Sequence, residues 1–191
     1  MKRLTHLWLR GLAMTWLVFG RTGKALQVFE AMLARWPDDA YALASRAHMR
    51  AAEGAYPLAL ADSQRLLQLK PEDGTTWFNH GFMLEAAERW DDALTAFKRA
   101  TELSPQLDRA WYGLGLVLIR LKRYDEAVDA LKRNTELQPM SPYGWYQLAR
   151  VHIDRQQPEE AVKVIRHLQG FEPKVAAQLV RETGLLAGTP S

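Results

Sequence analysis

Prolines recur at Pro37, Pro71, Pro105, Pro139 and Pro173, each 34 residues beyond the last. Alanines keep the same step at Ala25, Ala59, Ala93, Ala127 and Ala161, and so do Trp77, Trp111 and Trp145, with Leu43 and Leu9 in register before them. Three ladders sharing one period do not arise by chance. A period between about 20 and 50 residues marks a solenoid whose units stack along one axis.

The stretch from Asp108 to Pro139 explains why each unit is a pair of helices. From Trp111, apolar or small residues recur at Leu114, Gly115 and Leu118, the stripe of an amphipathic helix. Lys122, Arg123 and Tyr124 break the stripe. Asp125 and Glu126 then open a second helix, where acidic side chains suit the positive N-terminal end of the dipole. Its buried stripe is predicted to be Ala127, Val128, Leu131 and Leu137. Gly115 and Ala127 are small enough to let the two backbones approach. Pro139 lacks an N–H and disfavours helix in the residue before it, which stops the second helix.

The pattern Trp111-x2-Leu114-Gly115-x2-Leu118, then Ala127-x3-Leu131, then Pro139 resembles the tetratricopeptide repeat. Trp77-x2-His80-Gly81 with Ala93-x3-Phe97 and Pro105 is similar, as is Trp145-x2-Leu148-Ala149 with Ala161-x3-Ile165 and Pro173. The pattern runs in frame through 6–39, 40–73, 74–107, 108–141 and 142–175, with 176–191 left for a capping helix and tail. The resemblance implies an all-α, right-handed superhelical solenoid of antiparallel helix pairs, read as one elongated unit. It also implies a non-enzymatic adaptor or scaffold in protein–protein contact.

Composition narrows the remaining classes. The 191-residue chain is 48% hydrophobic with nine prolines and twelve glycines, which argues against long disorder. It contains no cysteine, so disulfides, thiolate metal sites and cysteine nucleophiles are excluded, in keeping with an expected cytoplasmic location. A net charge of +3 is small for this mass, which argues against nucleic acid as the partner. The five histidines show no metal-ligand spacing, and His80 and His152 fall in helix-packing registers. The acidic pairs Asp38-Asp39, Asp91-Asp92, Asp125-Glu126 and Glu159-Glu160 stand at helix starts, where the dipole accounts for them. No phosphate-binding glycine loop is present, and no cofactor or metal is expected.

The first helix departs from the pattern. Leu4, Leu7, Trp8, Leu9, Leu12, Met14, Trp16, Leu17, Val18 and Phe19 point nearly all round a helical wheel. Lys2-Arg3 and an apolar core follow the layout of a signal peptide, but no cleavage site follows and the segment is in frame as repeat material. A membrane span needs about 20 apolar residues, and this stretch is shorter and contains Arg10. Two readings stay open: a well-packed terminal helix with a few exposed apolar residues, and a homodimer or partner surface through Leu4, Trp8 and Leu17. The second repeat is degenerate, with Arg46, Arg50 and Ser63 at positions apolar in most units. Pro57 opens its second helix, where a missing N–H costs little. Lys174 to Thr183 is predicted to form a cap ended by Gly184, and 185–191 a loose tail.

Where members of this family carry a ligand, the first helices of successive repeats line the concave side. At 100° per residue, the stripe turned from Trp111 contains Arg109, Tyr112 and Leu116. In register lie Tyr41, Ala44 and His48, then Thr75, Phe78 and Phe82, then Tyr143, Tyr146 and Arg150. Exposed aromatics beside arginine are typical of binding hot spots, although rings packed between repeats would give the same pattern. The expected ligand is a peptide or helix of a partner protein along Phe78, Phe82, Tyr112, Tyr143 and Tyr146, with Asn79, Arg109 and Arg150 as polar contacts. A carboxylate clamp of the kind some family members use on chaperone tails is matched only by Asn79 and Arg109. Ala44, His48 and Gly113 occupy its other places. A basic ladder on the second helices (Arg65, Lys98-Arg99, Lys132-Arg133, Arg166) reads as a solvated outer face. The alternative function is a membrane-peripheral assembly factor using the apolar first helix and this basic face.

Overall fold

The structure is a computed structural model that describes residues 2–186, with side chains from Leu4 onward. Eleven helices make up the described residues: α1 Lys2–Val18, α2 Thr22–Arg35, α3 Ala40–Ala52, α4 Tyr56–Leu69, α5 Gly74–Ala86, α6 Trp90–Leu103, α7 Asp108–Arg120, α8 Tyr124–Leu137, α9 Pro142–Asp154, α10 Pro158–Gln169 and α11 Pro173–Thr183. Two helices fall in each 34-residue period, and α11 follows the last of them. The chain divides into two compact units, Met1–Ala93 and Leu94–Ser191. The tail from 187 lies outside the described residues.

Each pair turns through the same backbone device. Gly20, Gly54, Glu88, Lys122 and Gln156 stand 34 residues apart and all have positive φ, between 57° and 76°. After each, an amide reaches back five residues: Arg21 to Trp16, Ala55 to Arg50, Arg89 to Leu84, Arg123 to Leu118 and Gln157 to His152, all at 2.8–2.9 Å. This is the Schellman closure, which satisfies carbonyls left open at a helix end. Glycine adopts the left-handed conformation freely, whereas Glu88, Lys122 and Gln156 do so at a cost.

The proline and tryptophan ladders prove to be one feature. The indole Nε1–H of Trp77 donates to the Pro71 carbonyl at 2.8 Å, that of Trp111 to Pro105 at 2.9 Å and that of Trp145 to Pro139 at 2.9 Å. Each bond ties the start of one repeat to the end of the one before. Pro173 behaves differently. The helix before it ends at Gln169, and Pro173 is itself the first residue of α11, where its missing N–H costs nothing. Gly184 ends α11 in the left-handed conformation, φ 71°.

Close packing explains the small residues. A β-carbon on Gly115 would lie 2.8 Å from the Leu131 side chain, so the glycine lets α7 sit against α8. Ala127, Val128 and Leu131 are buried as predicted, and Leu137 is partly so.

The degenerate second repeat has a physical account. Asp62 on α4 is buried and accepts from Arg46 Nε at 2.9 Å, Arg46 Nη2 at 2.7 Å and Arg50 Nη1 at 2.9 Å. The fourth repeat carries Leu114, Leu118 and Ala130 at these three positions, all buried. An ion triad thus takes the place of an apolar contact.

The first helix is not the well-packed element that one reading expected. Ala13 is fully buried and Leu9, Leu12, Trp16 and Leu17 pack on the core of Phe29, Met32 and Leu43. Leu4, Leu7, Trp8, Val18 and Phe19 are instead 62–79% exposed, too many and too close together to be strays. Leu17 is separated from them, because it lies on the inner side. No described helix is long and apolar enough to cross a membrane.

Candidate functional site

The predicted stripe borders a groove in each unit. In the first, a hollow of about 420 Å³ is lined by Tyr41, Ala44, Ser45 and His48 of α3 and by Thr76, Asn79 and Phe82 of α5. Leu17, Ala47, Met49, Leu66 and Met83 also line it and make its surface mainly apolar. The position of the stripe follows from helix geometry, since residues three to four apart share a face. Small side chains at Ala44 and Ser45 leave the hollow open. Phe82 keeps 47% of its surface exposed at the rim.

Tyr41 does double duty. Its ring packs edge-on against Phe29 at 5.8 Å, and the Arg10 guanidinium lies 4.0 Å from the ring centroid. It therefore cements two repeats while presenting a face to the groove. Phe78 is half-buried and does not line the hollow.

In the second unit, Asp108, Arg109 and Tyr112 of α7 and Tyr143 of α9 border a hollow of about 410 Å³, with Asn134, Gln138 and Ser141. Tyr143 is 70% exposed. Asn134 is oriented by donating its Nδ2–H to the Asp108 carbonyl at 2.9 Å. Leu116 is half-buried and outside this hollow.

Tyr146 and Arg150 are turned to an internal partner. The Tyr146 hydroxyl donates to Glu182 Oε2 of α11 at 2.7 Å, and Arg150 Nη1 approaches the same oxygen at 3.2 Å. A Gln178 amide and the Tyr146 hydroxyl hold the Glu182 carboxyl below the usual carboxylate range, with Arg150 adding to the effect. Arg150 thus already has an acidic group, which the stripe alone gave no means of anticipating.

The outer basic ladder is largely paired. Arg65 meets Asp38 at 2.6 Å, Lys98 meets Glu126 at 3.4 Å, Arg99 meets Glu102 at 3.2 Å and Arg133 meets Glu136 at 2.8 Å. Exposed pairs of this kind contribute little to stability, and they leave less free positive charge than the residue count implies.

Behind the first groove, the Ser63 hydroxyl and His80 Nδ1 are 2.7 Å apart. Burial, and then the Arg89 charge, lower the pKa of His80 below the ordinary histidine value, while Asp92 opposes them. A histidine held neutral by the fold binds its proton more readily when unfolded. Its contribution to stability is therefore complete above the ordinary value and declines as pH falls below it. Between about pH 7.5 and pH 5.5, wild type should lose more stability than a His80→Gln variant in urea titrations. Equal losses would show that His80 is not the group responsible.

With the geometry in place, comparison with known proteins gives the class. The tetratricopeptide-repeat family matches residues 10–74 and 84–142, about two thirds of the chain, and the protein belongs to that family. No curated protein matches the sequence significantly. Among solved structures, MamA 41-end from Desulfovibrio magneticus RS-1 superposes with a TM-score of 0.82 at 18% identity, covering 88% of this chain and 96% of its own. YrrB, a TPR protein with an unusual peptide-binding site, gives 0.75 at 20% identity over 90% of this chain and 89% of its own. TTC0263, a thermophilic TPR protein of Thermus thermophilus, gives 0.68 at 23% identity over 95% and 99%. These likenesses establish the all-α superhelical repeat fold.

Proposed function

We propose that the chain is a protein-interaction scaffold that captures a peptide or helix of a partner protein in these grooves. The observation that carries the reading is the first hollow. Its surface is mainly apolar, it is rimmed by the rings of Tyr41 and Phe82, and His48 and Asn79 stand beside them as polar contacts. A volume of about 420 Å³ falls within the range of ligand-binding clefts. The second hollow is more polar, and Arg109, Tyr112 and Tyr143 there suit an acidic ligand segment. The peptide-binding site of YrrB supports the same reading by likeness of fold. Arg150 is engaged by Glu182 and is not among the contacts that carry this reading.

Panning a random peptide library on the whole chain tests this. Peptides held in the first hollow should lose about 2 kcal/mol, roughly thirtyfold in Kd, on Phe82→Ala, and peptides held in the second a comparable amount on Tyr112→Ala. Peptides that bind both folded variants as tightly as wild type would overturn the groove assignment.

A further inference from the structure

We infer that the outer face of α1 is a docking surface for an anionic lipid bilayer, on which the helix lies flat. Leu4, Leu7, Trp8, Met14 and Val18 fall within an arc of about 120° opposite the buried Ala13. They are 48–79% exposed, and Phe19 extends the patch at 71%. Gly11 sits in the middle of the arc with nothing within 4 Å of a β-carbon. Nothing among the described residues covers this face.

The repeat itself shows what this face normally meets. The position of Trp8 is occupied in later units by Ala42, Thr76, Ala110 and Gly144, every one of them buried. At Gly144, a β-carbon would collide with Asn134 and Thr135 of α8 in the preceding pair. A helix stacked as in the other repeats therefore needs a small residue here. Trp8 fills that space, which excludes a second copy or another repeat in the stacking geometry, but it suits a fluid surface that moulds to the ring. Tryptophan is also the side chain most at home at the level of lipid headgroups.

Charge selects the kind of surface. Residues 1–29 contain Lys2, Arg3, Arg10, Arg21 and Lys24 and no acidic residue, the first being Glu30. Two copies meeting face to face through α1 would bring basic N-terminal segments close together. An anionic bilayer attracts this net positive charge, and a basic helix with leucine, tryptophan and phenylalanine exposed along one side is the form that interfacial helices take. The helix is too short to span, so it lies on the surface rather than crossing it.

Sedimentation of the whole chain with vesicles tests the inference, using phosphatidylcholine alone and phosphatidylcholine mixed with phosphatidylglycerol. Wild type should bind the anionic vesicles, release with added salt, and bind the neutral ones far less. Trp8→Ser with Val18→Ser, both at exposed sites and checked for unchanged helix content, should weaken partitioning at least about tenfold. Absence of binding, equal binding to neutral vesicles, or undiminished binding by the double variant would overturn it. So would a concentration-dependent mass in sedimentation equilibrium that Trp8→Ser abolishes in a protein without vesicle affinity, since the face would then belong to a second copy.

Discussion

Asp62→Ala is expected to destabilise the protein by about 3–5 kcal/mol, because it leaves two guanidinium groups without their carboxylate in a largely buried place. The Arg46 side chain is 19% exposed and that of Arg50 15%, so water cannot fully replace the lost partner. Glu30 offers Arg50 a contact at 3.7 Å but comes from a half-exposed side chain, and it is too distant to substitute. The informative comparison is a triple variant, Arg46→Leu, Arg50→Leu, Asp62→Ala, which copies Leu114, Leu118 and Ala130 of the fourth repeat. Breaking a buried ionic group by removing one member is costly, whereas exchanging the whole group for packed apolar side chains is often neutral or stabilising. Urea midpoints should therefore place the triple variant near wild type and well above the single one. A triple variant as unstable as Asp62→Ala would mean that the second repeat needs its charges for folding, not merely for mutual neutralisation.

The same triad shows where reading by period stops. Arg46 and Arg50 register individually as departures from an apolar ladder, and Asp62 does not stand out at all. Their meaning lies in one carboxylate reaching back 12 and 16 residues across a helix pair, which no spacing rule announces. The left-handed residues were similarly hidden. Gly20 and Gly54 are an open signal, but Glu88, Lys122 and Gln156 continue their ladder with side chains that carry no such hint. The helices and their order were legible because periodicity and the proline ladder report on local structure. The groove was legible in part. A helical stripe grouped Tyr41, His48 and Phe82, with Asn79 named beside it as a polar contact, and likewise Arg109, Tyr112 and Tyr143. It missed Leu17, Met49 and Leu66, which reach the hollow from other faces or other helices, and it could not see that Glu182 takes up Tyr146 and Arg150 from 32 to 36 residues away.

The second large effect concerns how tightly the second unit is packed. Phe97 is fully buried, and a β-carbon on Gly113 would lie 2.7 Å and 2.8 Å from its ring edge. Removing the ring by Phe97→Ala should cost about 3–5 kcal/mol in transfer energy and residual cavity. Gly113→Ala alone should also destabilise, by about 1–3 kcal/mol, since a ring enclosed on all sides cannot move away from the new methyl. The two losses should not add. Once the ring is gone, the methyl enters space that would otherwise be void, and the helix-forming advantage of alanine over glycine, up to about 1 kcal/mol, becomes available. Gly113→Ala should then be neutral or stabilising in the Phe97→Ala background, a coupling of at least about 1 kcal/mol. Gly11→Ala on the open face of α1 isolates the propensity contribution, because nothing lies within 4 Å of that position, and it should stabilise. Additive losses at Gly113 and Phe97 would show that the glycine serves the backbone of α7 rather than the ring against it.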